Sequence, residues 1–201
     1  PRPRAHIDPA AVTRAFAPDG LHGATTHAIA RCAGVAKPTV YAHGGSKESV
    51  FLGCVEAEVE RLLGDISQAD LRTRSLHARA RIAALAQAII EHARVHPTGA
   101  RLLHLTARHT ASGVAEEVDA ALARLPAQLA SILRRDTTPA CADRIAPALL
   151  GAAAALALFA SASEDPEADA ALLGGAFAAV LDLEAPDDAA TTDRVQTVGL
   201  Y

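Results

Sequence analysis

The chain has no tryptophan and no methionine, and it has only four phenylalanines and two tyrosines among 201 residues. Half of its residues are hydrophobic, but alanine supplies much of that share. Strands are built from β-branched and aromatic side chains, whereas alanine is the strongest helix former. The balance therefore argues against a sandwich or barrel and for an all-α protein. Cysteine is scarce too: Cys32, Cys54 and Cys141 are scattered, odd in number and without a CxxC pair. This excludes a disulfide framework, and reduced, buried thiols are expected, with Cys32 and Cys54 at inward positions. The opening PRPRAHIDP has no apolar core, so no signal peptide is expected and the protein reads as cytoplasmic. No nucleophile elbow, glycine-rich phosphate loop or paired carboxylates occur, so no enzyme activity and no cofactor or metal are expected; Gly174-Gly175 reads as a site of close helix packing.

One long uncharged run exists, Ile145 to Ser163, bounded by Arg144 and Glu164. It is near the minimum transmembrane length. Alanine contributes little to membrane insertion, and Pro147 and Gly151 interrupt the run. A helix buried on most sides in a subunit interface fits better than a membrane span.

The net charge of −4 is unevenly spread. Residues 1–50 hold six Lys/Arg against three Asp/Glu, and the remainder hold thirteen against twenty. The N-terminal end is thus the basic one, as phosphate binding requires. Only two of the basic residues are lysines, Lys37 and Lys47, and both lie there.

Helical periodicity and stop signals predict nine helices. Asp8-Pro9 opens the first (9–17), Leu21-His22-Gly23 forms a turn, and Thr25 or Thr26 caps the second (26–32). A third spans 36–42. Ser46 caps a long fourth (46–66), with a connection over Ser67–Ser75. The others are expected at 76–94, 97–109, 113–135, 141–162 and 166–182.

The stretch Thr26 to His43, THAIARCAGVAKPTVYAH, has the pattern of a helix-turn-helix. Ile29 and Ala30 share one face of the first helix, and Ala30 is small enough for a close crossing. Ala33-Gly34-Val35 is the turn, with Gly34 placed to take a left-handed conformation. Val35 and Val40 pack the second helix against the first, and a helix held this way enters the DNA major groove. Ala36, Lys37, Pro38 and Thr39 form its exposed end. Lys37 is placed to reach a guanine edge or a phosphate, and Ala36 and Pro38 a thymine methyl. Thr26, with His27 beside it, offers a hydroxyl and backbone N–H groups to a phosphate. Arg2 and Arg4 either trail into the minor groove or are disordered.

With its flanks, this segment resembles the TetR family of bacterial regulators. The matching residues are Phe16, Gly20, Thr25-Thr26, Ile29-Ala30, Ala33-Gly34-Val35, Pro38-Thr39-Val40-Tyr41, His43 and Ser46-Lys47-Glu48. The resemblance covers about residues 8–52. It implies that Tyr41, His43 and Lys47 hold phosphates, and that a DNA-binding head (1–47) precedes a helical ligand-binding and dimerisation body (48–183) and a tail (184–201). Three positions depart from the pattern. Gly44 stands where the family usually has an aromatic, Ala36 replaces a capping hydroxyl, and Pro18 ends the first helix early.

In the body, His92 and His96 stand at i, i+4, the spacing of metal ligands, but read better as solvent-facing or pocket residues. His92, Arg101, His104 and Arg108 are the candidate ligand-pocket residues. The last two helices carry apolar residues all round, with Leu149, Ala152, Leu156, Phe159, Leu173, Phe177 and Val180 as candidate contacts of a four-helix homodimer interface. The reading is a homodimeric repressor on double-stranded operator DNA, released by an unidentified small-molecule effector. Its alternatives are a ligand-independent DNA-binding dimer and an all-α enzyme.

Overall fold

The structure is a computed structural model and describes residues 8–106, 114–159 and 165–184. The described residues contain ten helices and no strand: α1 (Pro9–Phe16), α2 (Gly20–Gly23), α3 (Thr26–Ala33), α4 (Lys37–Gly44), α5 (Lys47–Thr73), α6 (Ala78–Val95), α7 (Pro97–Thr106), α8 (Ala115–Leu133), α9 (Pro139–Phe159) and α10 (Pro166–Glu184).

The N-terminal helices begin where side chains can receive their orphan N–H groups. Asp8 accepts from the Ala10 amide at 3.0 Å, Thr25 from Ala28 at 3.1 Å and Ser46 from Ser49 at 3.1 Å. Pro9 stands in the first turn of α1, where its missing N–H costs nothing. Gly34 ends α3 at φ 67°, and the Val35 amide reaches back to the Ala30 carbonyl at 3.0 Å, the closure that a left-handed glycine permits. Val12, Phe16, Ile29, Ala30, Val40, Val50 and Phe51 fill the core below. Phe16 meets Phe51 edge-on, with ring centroids 5.2 Å apart, and so locks α1 to α5.

Two elements differ from expectation. Leu21-His22-Gly23 is part of a helical turn, α2. Helix α5 runs through the segment expected to be a connection and ends at Thr73. The polar residues there do not break it, because the Ser67 and Thr73 hydroxyls donate to the Leu63 and Ala69 carbonyls, both at 2.7 Å. Ile66, Ala69 and Asp70 also continue its buried face.

Helix α5 carries the chain from the N-terminal helices into a bundle in which it packs on α6, α7 and α8. Within α9, Pro139–Ala157 is long and apolar enough to cross a membrane by length and composition, and a third of it is buried. Its inner side sends Cys141, Ala142, Ile145, Ala146, Leu149 and Ala153 into the core between α6 and α8. No cysteine forms a disulfide. Cys32 is half-buried; Cys54 and Cys141 are buried. Burial pushes the Cys54 thiol up to about 11, so it packs as a small hydrophobe.

Helix α10 crosses α6 at close range. A Cβ at Gly174 would lie 2.5 Å from the Ala83 Cβ and 2.7–2.8 Å from its backbone. Gly174→Val should therefore prise α10 from α6 and cost about 1–3 kcal/mol. An unchanged melting temperature would show that this crossing is not tight in solution.

Candidate nucleic-acid interface and ligand cavity

The exposed end of α4 presents Ala36, Lys37 and Pro38 to solvent, with Thr39 half-buried behind them. No side chain caps α4, because Ala36 has no acceptor. Val40 is buried and turns the opposite side of the helix onto α3. His27 is exposed on α3.

Three predicted phosphate contacts converge although they come from three helices. The Tyr41 hydroxyl on α4 lies 2.8 Å from the Thr26 hydroxyl at the start of α3. Lys47, the first residue of α5, donates from Nζ to the Ala24 carbonyl at 3.3 Å. Thr26, Tyr41 and Lys47 line one open cleft of about 430 Å³. Lysine has three donors, so the Ala24 contact leaves two for an anion. Glu48 borders the same cleft. Its carboxyl is held below the usual range by its own backbone N–H, by Ser46 and by the Lys47 charge. The first turn of α5 thus already carries one negative group, and Lys47 offsets it.

The structure does not describe the side chain of His43, and Arg2, Arg4 and Arg108 lie outside the described residues.

The bundle contains a second site, a cavity of about 530 Å³ bounded by α5 to α9. Leu62, Ile89, Leu103, Leu125 and Leu150 make it largely apolar, and His92 and His104 are among its few polar lining residues. Two of the predicted pocket residues therefore meet there. Arg101 does not: it is exposed, and its Nε donates to the Ala17 carbonyl at 3.1 Å, pinning α7 to the end of α1. The apolar stripe of α7 (Leu102, Leu103) turns inward, which carries Arg101 out.

His92 is 3% exposed, and both its nitrogens are engaged by α5. Nε2 stands 2.9 Å from the Glu58 carboxylate and Nδ1 2.7 Å from that of Asp65. Two ionised carboxylates are both satisfied when each ring nitrogen carries an N–H, which favours the imidazolium. Burial opposes its charge, but the hydrogen bonds and charges of Glu58 and Asp65 prevail and raise the His92 pKa. Arg61 also pairs with Glu58, and Gly99 of α7 leaves the space that the Glu58 carboxyl fills. Glu58 was not predicted as a site residue. Its signal was present: it lies on the same inward stripe of α5 as Val55, Val59 and Leu62, where a carboxylate needs a buried partner. His96 is near His92, with ring centroids 5.1 Å apart, but no cluster of three or more metal-ligating side chains occurs among the described residues.

Of the predicted interface residues, Leu149 is fully buried within the chain's own core and cannot reach a partner. It faces inward on the same stripe as Ile145 and Ala153, and the exposed side of α9 is instead Pro147, Ala148 and Gly151. Ala152, Leu156, Leu173 and Phe177 are half-buried. The side chains of Phe159 and Val180 are outside those described. Leu172, on the outer face of α10, is 71% exposed.

Residues 10–54 match the family model of bacterial regulatory proteins of the tetR family. Over 127 residues the chain is 30% identical to the HTH-type transcriptional activator FasR of Mycolicibacterium smegmatis, a match covering 63% of this chain and 57% of that protein. It therefore spans little more than half of that relative's length. A TetR-like transcriptional regulator from Rhodococcus sp. RHA1 superposes with a TM-score of 0.70 at 25% identity, over 90% of this chain and 98% of the other. The transcriptional regulator FadR from Bacillus subtilis, in complex with stearoyl-CoA, has the same fold. Its TM-score is 0.68 at 15% identity, covering 84% of this chain and 95% of the other.

Proposed function

We propose, from the match of residues 10–54 to the tetR family of bacterial regulatory proteins, that the chain is a homodimeric repressor of that family which a small molecule in the body cavity releases from a palindromic operator. The family match of residues 10–54 and the likeness to the regulator FasR support its being a DNA-binding transcriptional regulator. We divide it into a head (1–47), a body (48–183) and a tail (184–201).

The observation that carries the mechanism is the position of α5. Its first residue, Lys47, borders the Thr26–Tyr41 cleft, and fifteen residues on Leu62 lines the cavity. His92, in the cavity wall, is tied to α5 through Glu58 and Asp65. An occupant that displaces Leu62 or His92 therefore shifts the helix that carries Lys47. It releases DNA if it binds the displaced arrangement more tightly. The likeness in fold to a FadR that holds stearoyl-CoA supports a ligand-bearing body.

Two heads would enter successive major grooves about 34–36 Å apart. The outer face of α10, with Leu172 exposed, would lie in the dimer interface. Leu172→Arg should then yield a monomer in sedimentation equilibrium, with weaker DNA binding. The test of function is fluorescence anisotropy on DNA from the chain's own upstream region. Specific binding at nanomolar protein is expected, and equal affinity for random DNA would end the regulator reading. A second reading, an activator, is favoured by the name of the Mycolicibacterium relative. In vitro transcription from the bound promoter separates them, since a repressor lowers transcript and an activator raises it.

Two lysines should separate phosphate from base contacts. Lys47→Ala should weaken specific and random DNA alike and flatten the salt dependence by about one unit. An unchanged slope would remove Lys47 from the phosphate contacts. Lys37→Ala should instead cost about 1–3 kcal/mol on the best site alone. Equal losses on both DNAs would make Lys37 a phosphate contact.

A further inference from the structure

Many arginines of the body are neutralised by a carboxylate, as Arg124 is by Glu60 and Arg135 by Asp70. Two arginines at the seam between α1 and α7 are not. Arg14 and Arg101 line one open groove of about 420 Å³, together with Ala17, Pro18, Pro97 and Thr98. Arg14, exposed on α1, makes no hydrogen bond or ion pair with a described residue. Arg101, on α7, gives its Nε to the Ala17 carbonyl at 3.1 Å. That bond fixes the guanidinium at the groove and leaves both Nη groups as donors. Thr98 adds a hydroxyl.

No carboxylate lines the groove among the described residues. Asp19, next to Pro18 in sequence, lies against Gly23 instead. Residues 1–7 and 107–113, which precede α1 and follow α7, contain neither Asp nor Glu. An adjoining cleft shares Arg14, Pro97 and Thr98 and also holds Glu58 and Asp8. Both are engaged there, Glu58 by His92 and Arg61, and Asp8 by the Ala10 amide. The two guanidinium groups therefore repel each other across the groove without a counter-charge. A carboxylate would bring one charge and two oxygens. A phosphate group brings a charge of about −1.5 to −2 at neutral pH and three acceptor oxygens, enough to serve both cations at once.

We infer that the groove between α1 and α7 binds a phosphate group of a small molecule, held by Arg14 and Arg101 with Thr98 as a third donor. Such a group braces α1 against α7. The site is distinct from the body cavity and does not depend on its reading as an effector site.

The test is isothermal titration calorimetry on the full chain at low ionic strength, with inorganic phosphate and acetate as probes. Titrations in the Lys47→Ala background keep the Thr26–Tyr41–Lys47 cleft from contributing. Phosphate is expected to bind at least about tenfold more tightly than acetate. Arg14→Gln and Arg101→Gln should each weaken phosphate at least about tenfold, and Arg79→Gln, at an exposed arginine of α6, should leave it unchanged. Arg14→Gln is the decisive variant, since Arg101→Gln also releases the Ala17 carbonyl. Absence of phosphate binding, or undiminished binding in Arg14→Gln, would overturn the inference. Equal weakening by Arg79→Gln would overturn it too, because net charge alone would then be acting. Acetate as tight as phosphate would overturn the phosphate assignment. If Arg14→Gln also flattens the salt dependence of DNA binding by about one unit, the groove holds the DNA backbone and the small-molecule site is overturned.

Discussion

Arg81→Met should lower the stability of the fold by about 3–5 kcal/mol, the cost of leaving a buried carboxylate without its cation. Arg81 is 5% exposed near the start of α6 and joins three parts of the body. Its Nη1 donates to Asp136, just beyond α8, at 2.7 Å. Its Nη2 donates to the Ile132 carbonyl at 3.4 Å and lies 3.6 Å from Asp70 of α5. Asp70 keeps a second cation, Arg135, at 2.7 and 3.0 Å. Asp136 is the exposed weakness of the network: its second carboxylate oxygen is already buried without a hydrogen-bond partner. Loss of Arg81 therefore strands Asp136 more than Asp70. Urea denaturation at neutral pH measures the effect. The double variant Arg81→Met/Asp136→Leu should recover much of the loss, because removing both charges removes the desolvation penalty. A single-variant loss below about 1 kcal/mol would place Arg81 among weakly coupled surface pairs.

The network around Arg81 shows where reading a sequence succeeds and where it stops. The caps Asp8, Thr25 and Ser46 and the left-handed Gly34 were legible because each acts within a few residues of itself. Thr26 is legible as a phosphate contact from its place at a helix start, and Tyr41 and Lys47 from the family resemblance, but their convergence is not, since nothing local brings residues 26, 41 and 47 to one cleft. The clamp on His92 was not legible. Its partners lie 27 and 34 residues away, and only the packing of α5 on α6 aligns them. Helix α5 outruns its expected end because the Ser67 and Thr73 hydroxyls, which in sequence read as breakers, bond to the preceding turn. Arg101 and Leu149 lie elsewhere than their sequence pattern suggests, for different reasons. In α9 the alanine-rich sequence leaves a weak apolar stripe, so periodicity identifies the helix without fixing which side faces inward; in α7 the stripe of Leu102 and Leu103 is clear, and it is what turns Arg101 outward.

The second large effect concerns His92, and it depends on pH with a defined sign. Its folded pKa is raised above the ordinary value of about 6.5, through Glu58 and Asp65 acting against burial. A group with a raised folded pKa contributes its full stability below the unfolded pKa and loses it as pH rises through the folded value. The contribution of His92 should thus be present below the unfolded pKa of about 6.5 and be lost as pH rises through the raised folded value. His92→Leu removes the cation between a buried carboxylate, Glu58, and a half-exposed one, Asp65. At pH 6 the loss should be about 3–5 kcal/mol, moderated by Arg61, which still pairs with Glu58. As pH rises the wild type loses its own imidazolium, and the gap between the two proteins should narrow. Urea denaturation of both proteins from pH 6 to pH 9 measures this difference. A gap that stays constant would mean that the folded pKa of His92 is not raised, and a gap that widens would mean that the ring is neutral in the folded chain; either would show that the Glu58–His92–Asp65 contacts are not an ionic clamp. The same variant should also weaken the coupling between cavity and head, since it removes the cavity-wall side chain that hydrogen-bonds to α5. In anisotropy assays on the operator, His92→Leu should bind DNA at pH 6 while responding less to a cavity ligand than the wild type does. An undiminished ligand response would place the coupling elsewhere on α5, with Leu62 the next residue to test.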